Sequence, residues 1–531
     1  MNSPFLLHAE QQLLRGELAE AWRAARMGLT LCPDDRALWE IAASCAAQLG
    51  DDEEAARGWQ MIVALDPSAA HAGNQLGLVL ERLRRPDEAE TAYRQALDVL
   101  PDDASLHTNL GLLLENLGRL DEAERHQRQA LALSPGSAEI HSNLAALAAK
   151  QGNVAEAEAL YQGAIRLKPE FTTAQGNLGV LLFDLGRAAE AERCFRGALS
   201  MAPTSHQAQM NLAQLLLTQG RFAEGWPLYE GRLFVHARLG AAPAQPPACP
   251  RWQGEPLEGK SVLVMPEQGL GDELQFCRYL PWLKAQGVSR LTLLCRPSQK
   301  ALLETLAGPD MVVSLSDAKP HLGSHDYWTF LLSLPLHAGT RLASVPAQIP
   351  YLHPDPARIA RHAGRLAGAG LRVGLVWRGN PRHSNDAERS LPGLEVLAPL
   401  WAIDGVRVFS LQKSDEPLAA QPSGQPLVDL GPLIGDFADT AALLSQLDLL
   451  VSVDTSVAHL AGALGVPCWI LLPCFKTDWR WLQGRDDSPW YPRMRLFRQS
   501  TRGDWARPVA DMVLALRALS AAEARRVGEL P

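Results

Sequence analysis

Two clusters in the second half of the 531-residue chain carry groups that could do chemistry. The first lies in "MPEQGLGDELQF", residues 265–276, directly after the apolar run "SVLV". It sets Gly269 and Gly271 beside Asp272 and Glu273, then resumes an apolar, helix-like pattern. Glycines there can take backbone conformations closed to other residues and let the chain pass close to a ligand. A carboxylate beyond a buried strand can take a proton from a hydroxyl, and Asp272, Glu273 and Glu267 share this one loop. Asp272 can equally serve as a helix N-cap. The second cluster is "LLVSVDTSVAHLAGALGVPCWILLP", residues 449–473, where a strand ends at Asp454 and Thr455 and Ser456 open a helix. Backbone amides and hydroxyls at such a helix start form an anion site suited to a diphosphate. His459, one turn on from Thr455, shares its face and can hydrogen-bond a phosphate or be structural. Upstream, "GLVWRGNPRHSNDAERS" offers Arg378, Arg382 and Arg389, either as fixed cations for a departing diphosphate or as members of a solvated loop.

The elements that must position these groups are short apolar runs alternating with helical ones. Strands are expected at 261–265, 291–295, 311–315, 372–377, 407–412, 449–453 and 468–472. Continuous apolar strands with helices between them argue for parallel sheets covered on both faces. Ligands of such folds bind beyond the carboxyl ends of the strands. Small residues at Ala458, Ala461, Gly462 and Ala463 let the second helix pack closely on its sheet. A break at 356–370 separates two α/β units, 261–368 and 369–531. The amphipathic segment 505–527 is expected to close the second as a packing helix. Before them, "AAPAQPPACPRWQGEPLEGK" reads as a linker, taken as 236–260.

Residues 1–235 follow a different rhythm. Prolines recur at 33, 67, 101, 135, 169 and 203, each 34 residues from the last. Glycines at 16, 50, 118, 152, 186 and 220 keep step, with Arg84 filling the one gap, as do alanines at 21, 55, 89, 123, 157 and 191 with Gly225 in the seventh place. Each unit reads as two helices, a glycine turn between them and a proline after the second. This pattern resembles the tetratricopeptide repeat, which implies a right-handed solenoid whose concave face is lined by first helices. Asn109, Asn143, Asn177 and Asn211 occupy one first-helix position in four consecutive repeats. A row of amides can grip an extended peptide backbone without reading its sequence, or simply support helix packing. Similar asparagine ladders occur in the repeat domain of a nucleocytoplasmic protein glycosyltransferase.

Bulk properties narrow the field. A net charge of −9 argues against nucleic acid as the main partner. The start lacks the basic flank and long apolar core of a signal peptide, and no window suits a bilayer span. Eight scattered cysteines without a CxxC pair read as buried thiols of a reducing compartment, so a cytoplasmic address is expected.

"GLGDELQF" together with "DTAALLSQLDLLVSVDTSVAHLAGALGVP" resembles the heptosyltransferase-type family of GT-B glycosyltransferases. The strings "PRWQGEPLEGK", "VGLVWRGNPRH" and "DWRWLQGRDDSPWYPRMRLFRQ" are similar to its bacterial branch fused to tetratricopeptide repeats, some members of which modify flagellin. The resemblance implies an α solenoid followed by an α/β GT-B glycosyltransferase of two Rossmann-like domains, the first on the acceptor side and the second on the nucleotide-sugar side. It implies an inverting, metal-independent transfer with no cofactor beyond the donor. The family's base falls on Asp272, with Glu273 and Glu267 as further choices. Its phosphate motif falls on Asp454, Thr455, Ser456 and His459; Ser456 stands where the family has glycine, so a heptose donor does not follow. Gly271, Arg378 and Lys413 complete the donor-side set, and Asn109, Asn143, Asn177 and Asn211 are the acceptor-side residues. The expected partners are a nucleotide sugar and a protein segment presenting Ser or Thr, with no metal and no membrane insertion. Two other readings stay open: a scaffold with a degenerate nucleotide-sensing half, and a transferase acting on a lipid-linked glycan.

Overall fold

The computed structural model describes residues 4–238, 247–383, 385–413 and 427–528. The expected linker 236–260 therefore lies partly outside the described residues. The chain divides into two compact units, residues 1–204 and 205–531.

The first unit is built of helices set by the 34-residue period. Second helices begin at Leu18, Asp52, Pro86, Leu120, Val154 and Ala188, and first helices at Arg36, Ala70, Ala104, Ala138 and Thr172. The period works through two residue types. The glycines at 16, 50, 118, 152 and 186 all take φ between 75° and 86°, the left-handed turn that a side chain resists, and Arg84 adopts φ 60° in the same role. The alanines at 21, 55, 89, 123, 157 and 191 are fully buried, where their small side chains let paired helices approach closely.

The second unit opens with the same helical rhythm, His206–Thr218, Phe222–Tyr229 and Arg232–Arg238. It continues into strands β1 (Ser261–Met265), β2 (Arg290–Cys295), β3 (Met311–Ser314) and β4 (Tyr327–Phe330), which form a parallel sheet in the order β3-β2-β1-β4. Strands β5 (Leu371–Val376), β6 (Val406–Ser410), β7 (Leu427–Asp429), β8 (Leu449–Val453), β9 (Cys468–Leu472) and β10 (Met494–Arg498) form a second parallel sheet, β10-β9-β8-β5-β6-β7. In both sheets the chain starts in the middle and reverses its direction of growth beside the first strand. That places switch points between β1 and β4 and between β5 and β8, where the carboxyl ends leave a crevice. The helix Ala506–Gly528 covers the second sheet, burying Val509, Met512, Val513 and Leu516 with Val373, Leu375 and Val451.

One core joins the helices of this unit to both sheets. Phe222, Trp226 and Tyr229 pack with Phe276, Trp479 and Trp490, with ring centroids 5.4 to 6.5 Å apart. Arg278 ties the halves further, donating to the carbonyls of Pro346 at 2.9 Å and Trp490 at 2.6 Å and to the Tyr351 hydroxyl at 2.8 Å. The expectation of eight buried thiols needs correction: all are free, but Cys194 and Cys249 are half-buried and Cys32 and Cys474 exposed, the last two because they sit just beyond the ends of a helix and a strand. Among the described residues no helix is long and apolar enough to cross a membrane.

Candidate functional site

The loop leaving β1 enters the helix Leu270–Phe276. Its glycines work differently from the sequence expectation. Gly269 has φ −92° and Gly271 is not in the left-handed region; the strained residue is Gln268, at φ 60°. Gly271 is required by proximity. A Cβ there would stand 2.7 Å from His459 Cδ2 and 3.5 Å from Ser456 Cα, so the helix starts after β1 and β8 are pressed together at this residue.

That contact brings Asp272 to the residues after β8. Asp272 Oδ2 accepts the Gly269 N–H at 2.6 Å, closing the helix start as a cap does. Its other oxygen accepts from Arg480 Nη2, on the segment after β9. Burial raises the Asp272 carboxyl above its ordinary value, and Arg480 restrains the rise. Arg480 is itself buried at 5% exposure. Its Nη1 donates to both Asp478 oxygens at 3.0 Å, its guanidinium lies 4.4 Å from the Trp479 ring, and its Nε is buried without a hydrogen-bond partner. Burial works against its charge, but Asp272 and Asp478 outweigh that and hold the proton firmly.

Thr455 is the N-cap of the helix Ser456–Leu464, yet no side chain caps that start; its hydroxyl pairs with Ser452 at 3.1 Å. His459 is buried, with Nδ1 3.0 Å from the Tyr491 hydroxyl and its ring stacked on Trp481 at 5.2 Å. Burial, reinforced by Arg480, pushes its pKa down to about 3, so the imidazole is neutral. Asp454, 3.8 Å from His459 Nε2, is pushed up to about 6 by burial and by the negative charge of Asp478. The arrangement offers a carboxylate of raised basicity, paired with a buried guanidinium, on a segment packed against an uncapped helix start.

The other expected residues fall in several places. Glu273 is fully buried and turns away from Asp272 to pair with Arg296, and burial raises its carboxyl to about 7. Arg296 also donates to the Gln268 carbonyl at 2.6 Å, so Glu273 braces the loop from below. Glu267 is gripped by the buried Arg232 at 2.8 and 3.0 Å. Arg378 and Lys413 follow β5 and β6 and are exposed; Arg378 spends its guanidinium on the Pro392 carbonyl. Arg382 is exposed, whereas the Arg389 side chain is only 16% exposed, beside Asp386. In the first unit Asn109 donates to Asn74 at 2.8 Å and Asn177 bonds the Tyr161 hydroxyl, while Asn143 is half-buried. In the second unit Asn211 accepts from Gln207 at 2.9 Å.

Sequence reasoning missed Arg480, Asp478 and Tyr491. A signal was present in "DWRW", where opposite charges alternate with large aromatic residues and must pair if the segment is buried. It also missed the strain beside the site. Of the four non-glycine residues with positive φ among those described, Gln268, Lys476 and Leu482 flank Asp272, Asp478 and Arg480.

The tetratricopeptide repeat family model matches residues 74–138, 118–170, 142–204 and 177–231. Protein FlbA of Caulobacter vibrioides is 30% identical over 56% of this chain and 52% of its own, so the chain spans about half the length of that curated relative. Among solved structures, the MamA protein is similar at 20% identity, covering 32% of this chain and 92% of that one with a TM-score of 0.29. YrrB, described as a tetratricopeptide protein with an unusual peptide-binding site, shares 21% identity over 35% of this chain and 95% of its own, with a TM-score of 0.30. A thermophilic tetratricopeptide protein of Thermus thermophilus shares 27% identity over 34% of this chain and 97% of its own, with a TM-score of 0.28. This chain therefore carries tetratricopeptide repeats over residues 74–231.

Proposed function

We propose that the chain is a GT-B-type glycosyltransferase that moves a sugar from a nucleotide-sugar donor to a Ser or Thr hydroxyl of a protein segment held by the repeats. The observation that carries this reading is the packing of Gly271, next to Asp272, on the uncapped helix start at Thr455–His459, where the segments that leave β1 and β8 meet. The donor's diphosphate would sit at that helix start, whose amides and dipole favour negative charge. Asp272, basic and sheltered, would take the acceptor's hydroxyl proton as that oxygen bonds to the anomeric carbon. The bond from that carbon to the phosphate oxygen breaks in the same step, and the nucleoside diphosphate leaves with the electron pair. Inversion follows from a single displacement. Glu273 is a positioning residue in this scheme. Repeats of this kind suit a protein partner, and flagellin is the acceptor class that the sequence resemblance suggests.

The test is a thermal-shift series with UDP, GDP, ADP and CMP on the full chain and on Thr455→Ala/His459→Ala. A ligand present at about 100 times its dissociation constant adds roughly 2.7 kcal/mol to stability. One nucleotide should stabilise the wild type and not the variant. If none stabilises the wild type, the donor site is wrongly placed and a binding scaffold becomes the better reading.

A further inference from the structure

We infer that Arg480 is an exchangeable cation, paired with the base Asp272 when the donor is absent and transferred to the donor's diphosphate when it binds. This deepens the glycosyltransferase reading and rests on it. Three features support the exchange. Arg480 is one buried guanidinium facing two carboxylates, Asp272 and Asp478, so its ion pairing is crowded on the acidic side. A guanidinium has five N–H donors, and Nε of Arg480 is buried with nothing to donate to. Arg480 also belongs to the segment beside the proposed phosphate cradle: the next residue, Trp481, stacks on His459, and Asp272, to which Nη2 is bonded, follows the residue packed against Ser456 and His459.

The exchange links two requirements of the reaction. A carboxylate neutralised by a guanidinium is a poor base, and a leaving diphosphate needs a cation close by. Moving one guanidinium from Asp272 to the phosphate meets both, and it confines the active form of the base to the donor-bound enzyme. Asp478 anchors the arginine throughout through Nη1, so only the Nη2 end has to change partner. The strained backbone at Lys476 and Leu482 brackets this segment.

Competition between Asp272 and phosphate for one arginine has a signature that a purely structural ion pair lacks. Dissociation constants for UDP, GDP, ADP, CMP and inorganic pyrophosphate would be measured by calorimetry on the full chain and three variants. Asp272→Asn removes the competitor and should tighten the nucleotide that binds by roughly fivefold. Arg480→Gln should weaken it by about tenfold or more, and Asp272→Asn/Arg480→Gln should match Arg480→Gln alone. Arg480→Gln strands two carboxylates and can lose its fold, whereas Asp272→Asn keeps the Arg480–Asp478 pair and decides the matter without it. A nucleotide that binds wild type and Asp272→Asn equally well overturns the exchange and leaves the glycosyltransferase reading standing. Absence of any nucleotide or pyrophosphate binding to the wild type overturns both.

Discussion

Asp272, Glu273 and His459 show how burial assigns different work to titratable groups that the fold gathers at the contact of Gly271 with His459. Asp272 pairs with Arg480 and follows the residue packed on the helix start, so, with Asp272 as the proposed base, Asp272→Asn should keep nucleotide-induced stabilisation and lower sugar transfer by roughly 10²- to 10⁴-fold. Transfer assays beside the thermal-shift series would show the split. Retention of more than a tenth of the activity would remove Asp272 from the role of base. Glu273 makes no such contact, but its raised carboxyl governs stability. The folded chain keeps its proton up to pH of about 7, while the unfolded chain releases it near the ordinary glutamate value. Stability from this group is therefore fully present at low pH and is lost as pH rises toward 7, by about 3 kcal/mol. His459 acts in the opposite direction. It stays neutral in the fold down to about pH 3, whereas the unfolded chain takes up the proton near pH 6.5. Acid therefore removes stability across that window, on the order of 5 kcal/mol. Urea midpoints from pH 4 to 8 should lose their fall toward pH 7 in Glu273→Gln and their fall toward acid in His459→Gln. Unchanged slopes would mean that neither group titrates differently in the fold.

At the scale of elements, the site depends on two helix starts pressed together at Gly271. The group it meets cannot yield, because His459 is held by the Tyr491 hydroxyl and stacked on Trp481. Gly271→Val should cost about 1–3 kcal/mol through overpacking and abolish nucleotide-induced stabilisation. A variant of wild-type stability that still responds to nucleotide would show that this contact is dispensable. The strands follow a simpler rule. Those readable in the sequence are mainly the central ones, covered on both faces and so continuously apolar. β4, β7 and β10 went unread, and all three are edge strands. In "MRLFR" two arginines interrupt the apolar run although Met494, Leu496 and Phe497 are all buried, and "LVD" is too short to form a pattern. β3 is the edge strand that its apolar "MVV" did reveal.

For the whole molecule, the division after Thr204 does not follow the sequence rhythm, which continues to about residue 235. The last helices keep the repeat spacing but bury Phe222, Trp226 and Tyr229 in the core of the α/β half. Arg232, fully buried, grips Glu267 in the loop before Asp272, and the Tyr229 hydroxyl bonds Gln268 at 3.2 Å. A chain beginning at Ser205 should therefore fold and keep its nucleotide response. One beginning at residue 247 should aggregate, having exposed Trp479, Trp490 and Phe276. Expression and size-exclusion profiles of the two would decide it, and a soluble, nucleotide-responsive 247–531 chain would contradict this account of the core.

The sequence by itself determined the repeats, the central strands and the two loops that carry Asp272 and Thr455. Each is a local pattern: a 34-residue spacing of turn glycines and small alanines, or an apolar run ended by glycine and polar residues. Tertiary structure alone decided which charges meet. Asp272 and Arg480 are 208 residues apart in the chain, and Arg232 and Glu267 are 35 apart across a change of domain type. An ion pair between distant segments leaves no periodicity in either one, because its energy depends on burial and distance, which exist only once the chain has folded. For the same reason the arginines of the 378–389 loop drew notice in the sequence while Arg480 did not, and only packing set the buried Arg480, paired with Asp272, apart from the exposed Arg378 and Arg382.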